Sequence, residues 1–268
     1  SYVHSIVFDE DENENNDDHY GKATFMLSYT WGYPIGDIIA TLINYCVINN
    51  LDPKRTYIWI CFMCVNQHRV VESKKLGKIV EFATFQDIFG RRVKGIGHIL
   101  PMMNPWYNPG YLARVWCLFE MIMAKKYGCQ ITMIMPEHDR LDFLKILDDK
   151  NMSPLDKMTR LFEVLSSTRV QDAKASVESD RINIMNIIES MPGSYTGFNV
   201  QVNELVRGWA IGIMKDEVDV RRKLITSGDL SQYDFASFLN VVGNVLKDIG
   251  EKRDALQMHR ESFSLCET

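Results

Sequence analysis

Trp116-Cys117-Leu118-Phe119-Glu120 places one carboxylate inside an apolar run from Val115 to Ala124. A carboxylate in such surroundings needs either a partner or a chemical task. Loss of water disfavours the charged form, so Glu120 is expected to titrate above the usual carboxylate range unless Arg114 or another cation compensates. An acid displaced in this way is suited to chemistry near neutral pH. On a helix, Trp116 lies four residues before Glu120 and Ala113 seven before, so acid and aromatic ring share a face with Cys117 beside them. The structural alternative is an ion pair with Arg114, Lys125 or a residue of another element.

The elements around this helix follow from hydrophobic periodicity. Ala23 to Tyr29 is a β-prone run ending at polar residues and Gly32, and Ile38 to Val47 carries apolar residues on one helical face. Tyr57 to Val65 is nearly all apolar, as expected of a central strand covered on both sides. Ile79 to Phe89 reads as a helix, Gly97 to Met103 as a strand with Pro101 an irregularity, Leu112 to Tyr127 as a helix and Gln130 to Met135 as a fourth strand. Alternating strands and helices predict an α/β fold: a parallel sheet, right-handed crossovers, helices on both faces and ligands at the carboxyl ends of the strands.

Those ends hold Ser28-Tyr29-Thr30-Trp31-Gly32, Asn66-Gln67-His68, Asn104-Pro105-Trp106-Tyr107 and Pro136-Glu137-His138. Tyr29, Trp31, Trp106 and Tyr107 offer flat faces for stacking a ring. Asn66 and Gln67 offer paired donors and acceptors for ribose or amide groups. Each residue also has a plainer use, since aromatic rings at strand ends often close a core and asparagines often cap turns. Their gathering at one sheet edge fits a pocket with aromatic walls and a few polar groups. No glycine-rich phosphate cradle is present. Cys117 lies within its helix and not at the N-terminus, so thiol catalysis is not expected there.

Bulk properties narrow the classes. The chain has 268 residues, 46% hydrophobic, with a net charge of −5 and dispersed basic residues, so no nucleic-acid footprint is expected. No apolar run is long enough for a membrane helix and no secretory pattern opens the sequence, so a cytoplasmic protein without membrane contact is expected. The six cysteines are scattered through mostly apolar segments, as buried free thiols are. Cys61 and Cys64 form a C-x-x-C, but on a strand they would point to opposite faces, and nothing completes a zinc set; neither metal nor redox use is expected.

Four segments are expected. Residues 1–21 form an acidic, mobile leader; residues 22–140 form the α/β domain, and residues 141–234 a helical extension. Residues 235–268 form a helical hairpin in which Leu239, Val242, Gly243, Leu246, Gly250 and Ala255 fall at the apolar and small positions of a tetratricopeptide (TPR) repeat. Breaks are expected near Pro154 and across Pro192 to Gly197. One repeat cannot bury its faces alone, so the hairpin either packs on the preceding helices, as an ordinary terminal hairpin also would, or continues into further repeats.

Phe25-Met26-Leu27-Ser28-Tyr29 together with Trp116-Cys117-Leu118-Phe119-Glu120 resembles the Toll/interleukin-1 receptor (TIR) domain, whose plant members carry a W-C-L-x-E-L helix segment. Leu27-Ser28-Tyr29-Thr30-Trp31-Gly32 and Trp59-Ile60-Cys61-Phe62-Met63-Cys64-Val65-Asn66-Gln67 also resemble the TIR-like heterokaryon-incompatibility (HET) domain, whose segments read S-Y-x-W-G and W-I-D-x-x-C-I-N-Q. The resemblance covers residues 22 to 140, and the tail resembles TPR proteins. It implies a flavodoxin-like sheet and, in the enzymatic TIR branch, cleavage of the nicotinamide–ribose bond of NAD with Glu120 as the essential acid. A carboxylate there would stabilise an oxocarbenium-like ribosyl cation. The resemblance implies NAD or a related nucleotide as the substrate, with no further cofactor and no metal expected. Ser28, Tyr29, Trp31, Asn66, Gln67, Trp106, Arg114 and Trp116 are the expected lining. The resemblance equally implies self-association through the TIR-like domain, with a protein partner on the TPR-like arm, and many TIR domains are non-catalytic adaptors. In the HET-like segment this chain has Cys61 where the pattern has Asp, which removes a strand carboxylate.

Overall fold

The computed structural model describes residues 21–65, 72, 75–77, 81–153, 156–157, 159–161 and 169–267. The acidic segment 1–20 and Asn66, Gln67 and His68 lie outside the described residues.

Four strands form one parallel sheet: β1 (Phe25–Ser28), β2 (Ile58–Trp59), β3 (His98–Pro101) and β4 (Gln130–Ile131), in the order β2-β1-β3-β4. In the register, Met26 sits opposite both Trp59 and Ile99, Ser28 opposite Pro101, and Ile99 opposite Ile131. Helices α1 (Ile35–Ile48), α2 (Cys61–Cys64), α3 (Phe82–Ile96) and α4 (Val115–Lys126) alternate with the strands. They are followed by α5 (Glu137–Asp148), α6 (Glu178–Ser190), α7 (Ser194–Ser227), α8 (Gln232–Ile249) and α9 (Lys252–Cys266). Among the described residues, no helix is long and apolar enough to cross a membrane.

Side chains alternate across the sheet with the two-residue strand period. Leu27, Leu100 and Tyr29 are buried on one side with Ile38 and Leu42 of α1, and the Phe25 ring meets Tyr45 of α1 edge-on at 5.5 Å. Ser28 points the other way, toward α4. Helix α3 stops at Gly97, whose φ of 78° favours glycine and whose N–H bonds the Val93 carbonyl. Lys125 and Lys126 close the last turn of α4, where the helix dipole favours cations.

The structure corrects several expectations. The apolar run from Tyr57 to Val65 holds only a two-residue strand; Cys61 to Cys64 turn into a single helical turn, with the Cys64 N–H on the Ile60 carbonyl at 2.9 Å. Apolar content alone does not separate a buried strand from a buried helical turn. β4 is shorter than expected, although Met102 and Ile134 still form an isolated bridge beyond it. Pro101 is a regular member of β3, because its carbonyl still accepts the Ile134 N–H at 2.9 Å and only a donor is missing. The break across 192–197 is narrower than expected, since α7 starts at Ser194 and runs on through Gly197.

The chain divides into two compact units. The first holds the sheet, α1 to α4 and α6. Residues 170–190 belong to it because the Lys174 N–H and carbonyl pair with Ala113 and Val115 at 2.8 and 3.0 Å, and Arg181 binds the Ala173 carbonyl at 3.1 Å. The second holds α5, α7 from Thr196 onward, α8 and α9. Ser231 caps α8 through the Asp234 N–H, and Gly250 ends it at φ 98°. Helices α8 and α9 then run antiparallel, as Ala236 meets Ser262 and Asn240 meets His259. Gly243 lets them approach, for a Cβ there would stand 2.7 Å from the His259 ring.

Candidate functional site

Ser28 ends β1 and is fully buried, and its hydroxyl donates to Glu120 Oε2. Glu120 itself is half-buried. Among the described residues it forms no ion pair, so the structural alternative of a salt bridge to Arg114 or Lys125 is not how this acid is held. Loss of water drives its carboxyl from 4.5 up to about 7, against the opposing pull of the Ser28 hydrogen bond and the Arg114 charge. An acid so placed is divided between its two forms at neutral pH.

Residues 29–31 continue from Ser28 across the strand end. Tyr29 is buried, with its hydroxyl 3.6 Å from Cys61 Sγ, and burial raises its pKa. Trp31 is 58% exposed, donates its indole N–H to Cys61 Sγ at 3.5 Å and lies under the Arg114 guanidinium at 5.7 Å. Arg114 also binds Thr30 Oγ1 at 3.3 Å. Cys117 is buried and donates to the Tyr29 carbonyl at 3.4 Å, and burial pushes its thiol well up. Thus Ser28, Tyr29, Thr30, Trp31, Cys61, Arg114, Cys117 and Glu120 form one connected set at the carboxyl ends of β1 and β2.

The loops after β1 and β3 are tied at this edge by Tyr33. Its hydroxyl accepts the N–H groups of Tyr111 at 3.0 Å and Asn104 at 3.3 Å and donates to the Met102 carbonyl at 3.2 Å. Gly110 permits the approach, since a Cβ there would stand 3.2 Å from Thr30 Cγ2. Tyr111, fully buried below, binds the Cys117 carbonyl at 3.1 Å.

Two expected lining residues are placed otherwise. Trp106 belongs to the second unit, is 2% exposed, donates to Asp142 Oδ2 at 3.1 Å and packs edge-on against Phe143 at 5.1 Å. A large apolar ring gains more from that burial than from standing in water at a loop. Trp116 shares α4 with Glu120, but its ring is taken up by Phe82, Phe85 and Phe119 at 5.3 to 6.5 Å. Asn66 and Gln67 lie outside the described residues.

The sequence presents Cys61 as half of a C-x-x-C and as a position that lacks the HET-like acid, and it singles out neither Tyr33 nor Tyr111. For Cys61, its placement directly after β2 at the same edge as Ser28 was the available signal; for the two tyrosines the contacts depend on loop paths that periodicity does not carry. No family model, no curated protein and no solved structure matches the chain.

Proposed function

We propose that the first unit is a TIR-like domain of flavodoxin-like topology that cleaves the nicotinamide–ribose bond of NAD or a related nucleotide. The observation that carries this reading is Glu120, half-buried, in no ion pair among the described residues and held by Ser28 at the carboxyl end of β1. The strand order β2-β1-β3-β4 supports it, because it matches the first four positions of the doubly wound 2-1-3-4-5 order, whose ligand crevice opens between the carboxyl ends of the first and third strands. Ser28 and Pro101 face each other at that point.

In this mechanism the ionised Glu120 stabilises positive charge on the ribosyl ring as the nicotinamide leaves with the bonding pair. Water then captures the ribosyl carbon, or a hydroxyl or base of a nucleotide does so, giving hydrolysis, cyclisation or exchange. Trp31 offers an exposed ring to the nicotinamide, and Arg114 sets the charge balance around the acid. Cys61 orients Trp31 by hydrogen bonding where the HET-like pattern has a carboxylate. Incubation with NAD and measurement of free nicotinamide tests the reading. Release is expected from the native protein and a loss of about 100-fold or more from Glu120→Gln, as for removal of a charge-stabilising group; equal rates would remove Glu120 from the reaction.

A second reading, a silent self-associating module whose helical arm binds a protein partner, is favoured by one separate observation. Ile35, Ile39, Ile43 and Val47 recur every four residues along α1, each at least half exposed. Such a row on a helix is a candidate self-contact. Light scattering of the native protein and of Ile39→Asp tests it; equal masses for both would leave this reading without support.

A further inference from the structure

We infer that Cys61 and Cys64 are a redox-active dithiol that closes to an intramolecular disulfide and thereby releases Trp31 and Tyr29. The C-x-x-C spacing would separate two thiols on a strand, but here both residues lie in the single helical turn α2 that follows β2 directly. Residues three apart on a helix have Cα atoms about 5 Å apart, inside the span of about 4.4–6.8 Å that a disulfide bridges. Their Cβ atoms must draw in by about 1–2 Å. A helix of one turn tightens without disturbing further turns, and both thiols are free and half-buried.

The sulfur of Cys61 is already part of the Glu120 set. It accepts the Trp31 indole N–H and meets the Tyr29 hydroxyl. It also lies within electrostatic reach of Arg114, Glu120 and Cys117. Cys117 is a poor competitor for the bond, being buried and bound to the Tyr29 carbonyl. Drawing the Cys61 sulfur toward Cys64, and converting a thiol into a disulfide, removes both contacts at once. The Trp31 indole N–H then loses its acceptor, while the Arg114 guanidinium remains over the ring and on Thr30.

The oxidant is a low-molecular-weight disulfide such as oxidised glutathione. The Cys64 thiolate attacks one glutathione sulfur, the glutathione S–S bond breaks, and the first glutathione thiolate leaves and takes up the proton that Cys64 lost. The Cys61 thiolate then attacks Cys64 Sγ, forming the Cys61–Cys64 bond and expelling the second glutathione, which takes the Cys61 proton. Two electrons pass from the cysteines to the glutathione pair. Burial pushes the Cys61 thiol up and so disfavours its attack on an external disulfide; the second step is carried by the closeness of Cys64 Sγ within the same helical turn.

The test equilibrates the full chain in graded mixtures of reduced and oxidised glutathione, quenches with acid, alkylates the remaining thiols and maps them by mass spectrometry. Two of the six thiols are expected to be lost together, both on the Cys61–Cys64 peptide, with a change in tryptophan emission that dithiothreitol reverses and Trp31→Phe lacks. Cys61→Ser should trap glutathione on Cys64. Full alkylation of both residues at every ratio, a Cys61–Cys117 link, or glutathione retained on Cys64 in the native chain would overturn the inference. The consequence for turnover rests on the NAD-cleaving reading: oxidation should lower nicotinamide release at least tenfold. A chain that releases no nicotinamide in either state defeats that reading and leaves the thiol count to decide the dithiol.

Discussion

Ser28 donates its hydroxyl hydrogen to the carboxylate of Glu120, 92 positions away in sequence. One residue ends the first strand, and the other lies in the second turn of α4. Their meeting places an acid that has no ion-pair partner among the described residues at the boundary between β1 and β3.

Stability should fall as pH rises through the Glu120 titration. The folded-state carboxyl is displaced from 4.5 up to about 7, so between those values the native chain binds more protons than the unfolded one, and raising pH favours unfolding. The displacement corresponds to about 2 to 3 kcal/mol after allowance for solvent contact. Glu120→Gln removes this contribution. Urea unfolding at about pH 5 and about pH 8 should show a loss of that size in the native protein beyond whatever loss the variant shows. Identical pH dependence in the two proteins would mean that Glu120 is ordinarily hydrated.

The three tryptophans of the expected lining should separate by assay. Trp106→Ala should cost about 3–5 kcal/mol of stability, as buried large-to-small changes do, because its ring fills the second unit's core. Trp116→Ala should also destabilise, by less, through the Phe82, Phe85 and Phe119 contacts. Trp31→Ala should change stability by under about 1 kcal/mol, as exposed positions do, while weakening NAD binding. Thermal melts and a binding titration distinguish them; a Trp31 variant that binds NAD normally would exclude its ring from the site.

Tyr33→Phe should loosen the edge. The substitution strands the Asn104 and Tyr111 N–H groups, which now donate to the tyrosine hydroxyl. A lost hydrogen bond with an unsatisfied buried partner costs about 1–3 kcal/mol. Hydrogen exchange at Asn104 and Tyr111 should accelerate with it, and unchanged protection at both would show that the two loops are held by other means.

The sequence carried the alternation of strands and helices because apolar runs and amphipathic faces have distinct periods, and it carried the Glu120 anomaly because one acid among apolar neighbours is visible without coordinates. It did not carry the fate of Cys61 to Cys64, since an all-apolar run has no period to separate strand from turn. It placed Trp106 at a strand end, where adjacency in sequence suggested a pocket wall; the burial available beside Phe143 decided otherwise. Tyr33 joins loops whose paths depend on Gly110 and on tertiary contact. Local spacing is silent on such paths.

Carbon-13 NMR of the Glu120 side-chain carboxyl across a pH titration, with and without NAD, decides whether this poorly hydrated acid serves a nucleotide site as proposed. The expected midpoint is about 7 in the free protein, with a further rise in Ser28→Ala and a displaced midpoint once NAD is added. A midpoint in the ordinary glutamate range that NAD leaves unmoved would contradict it.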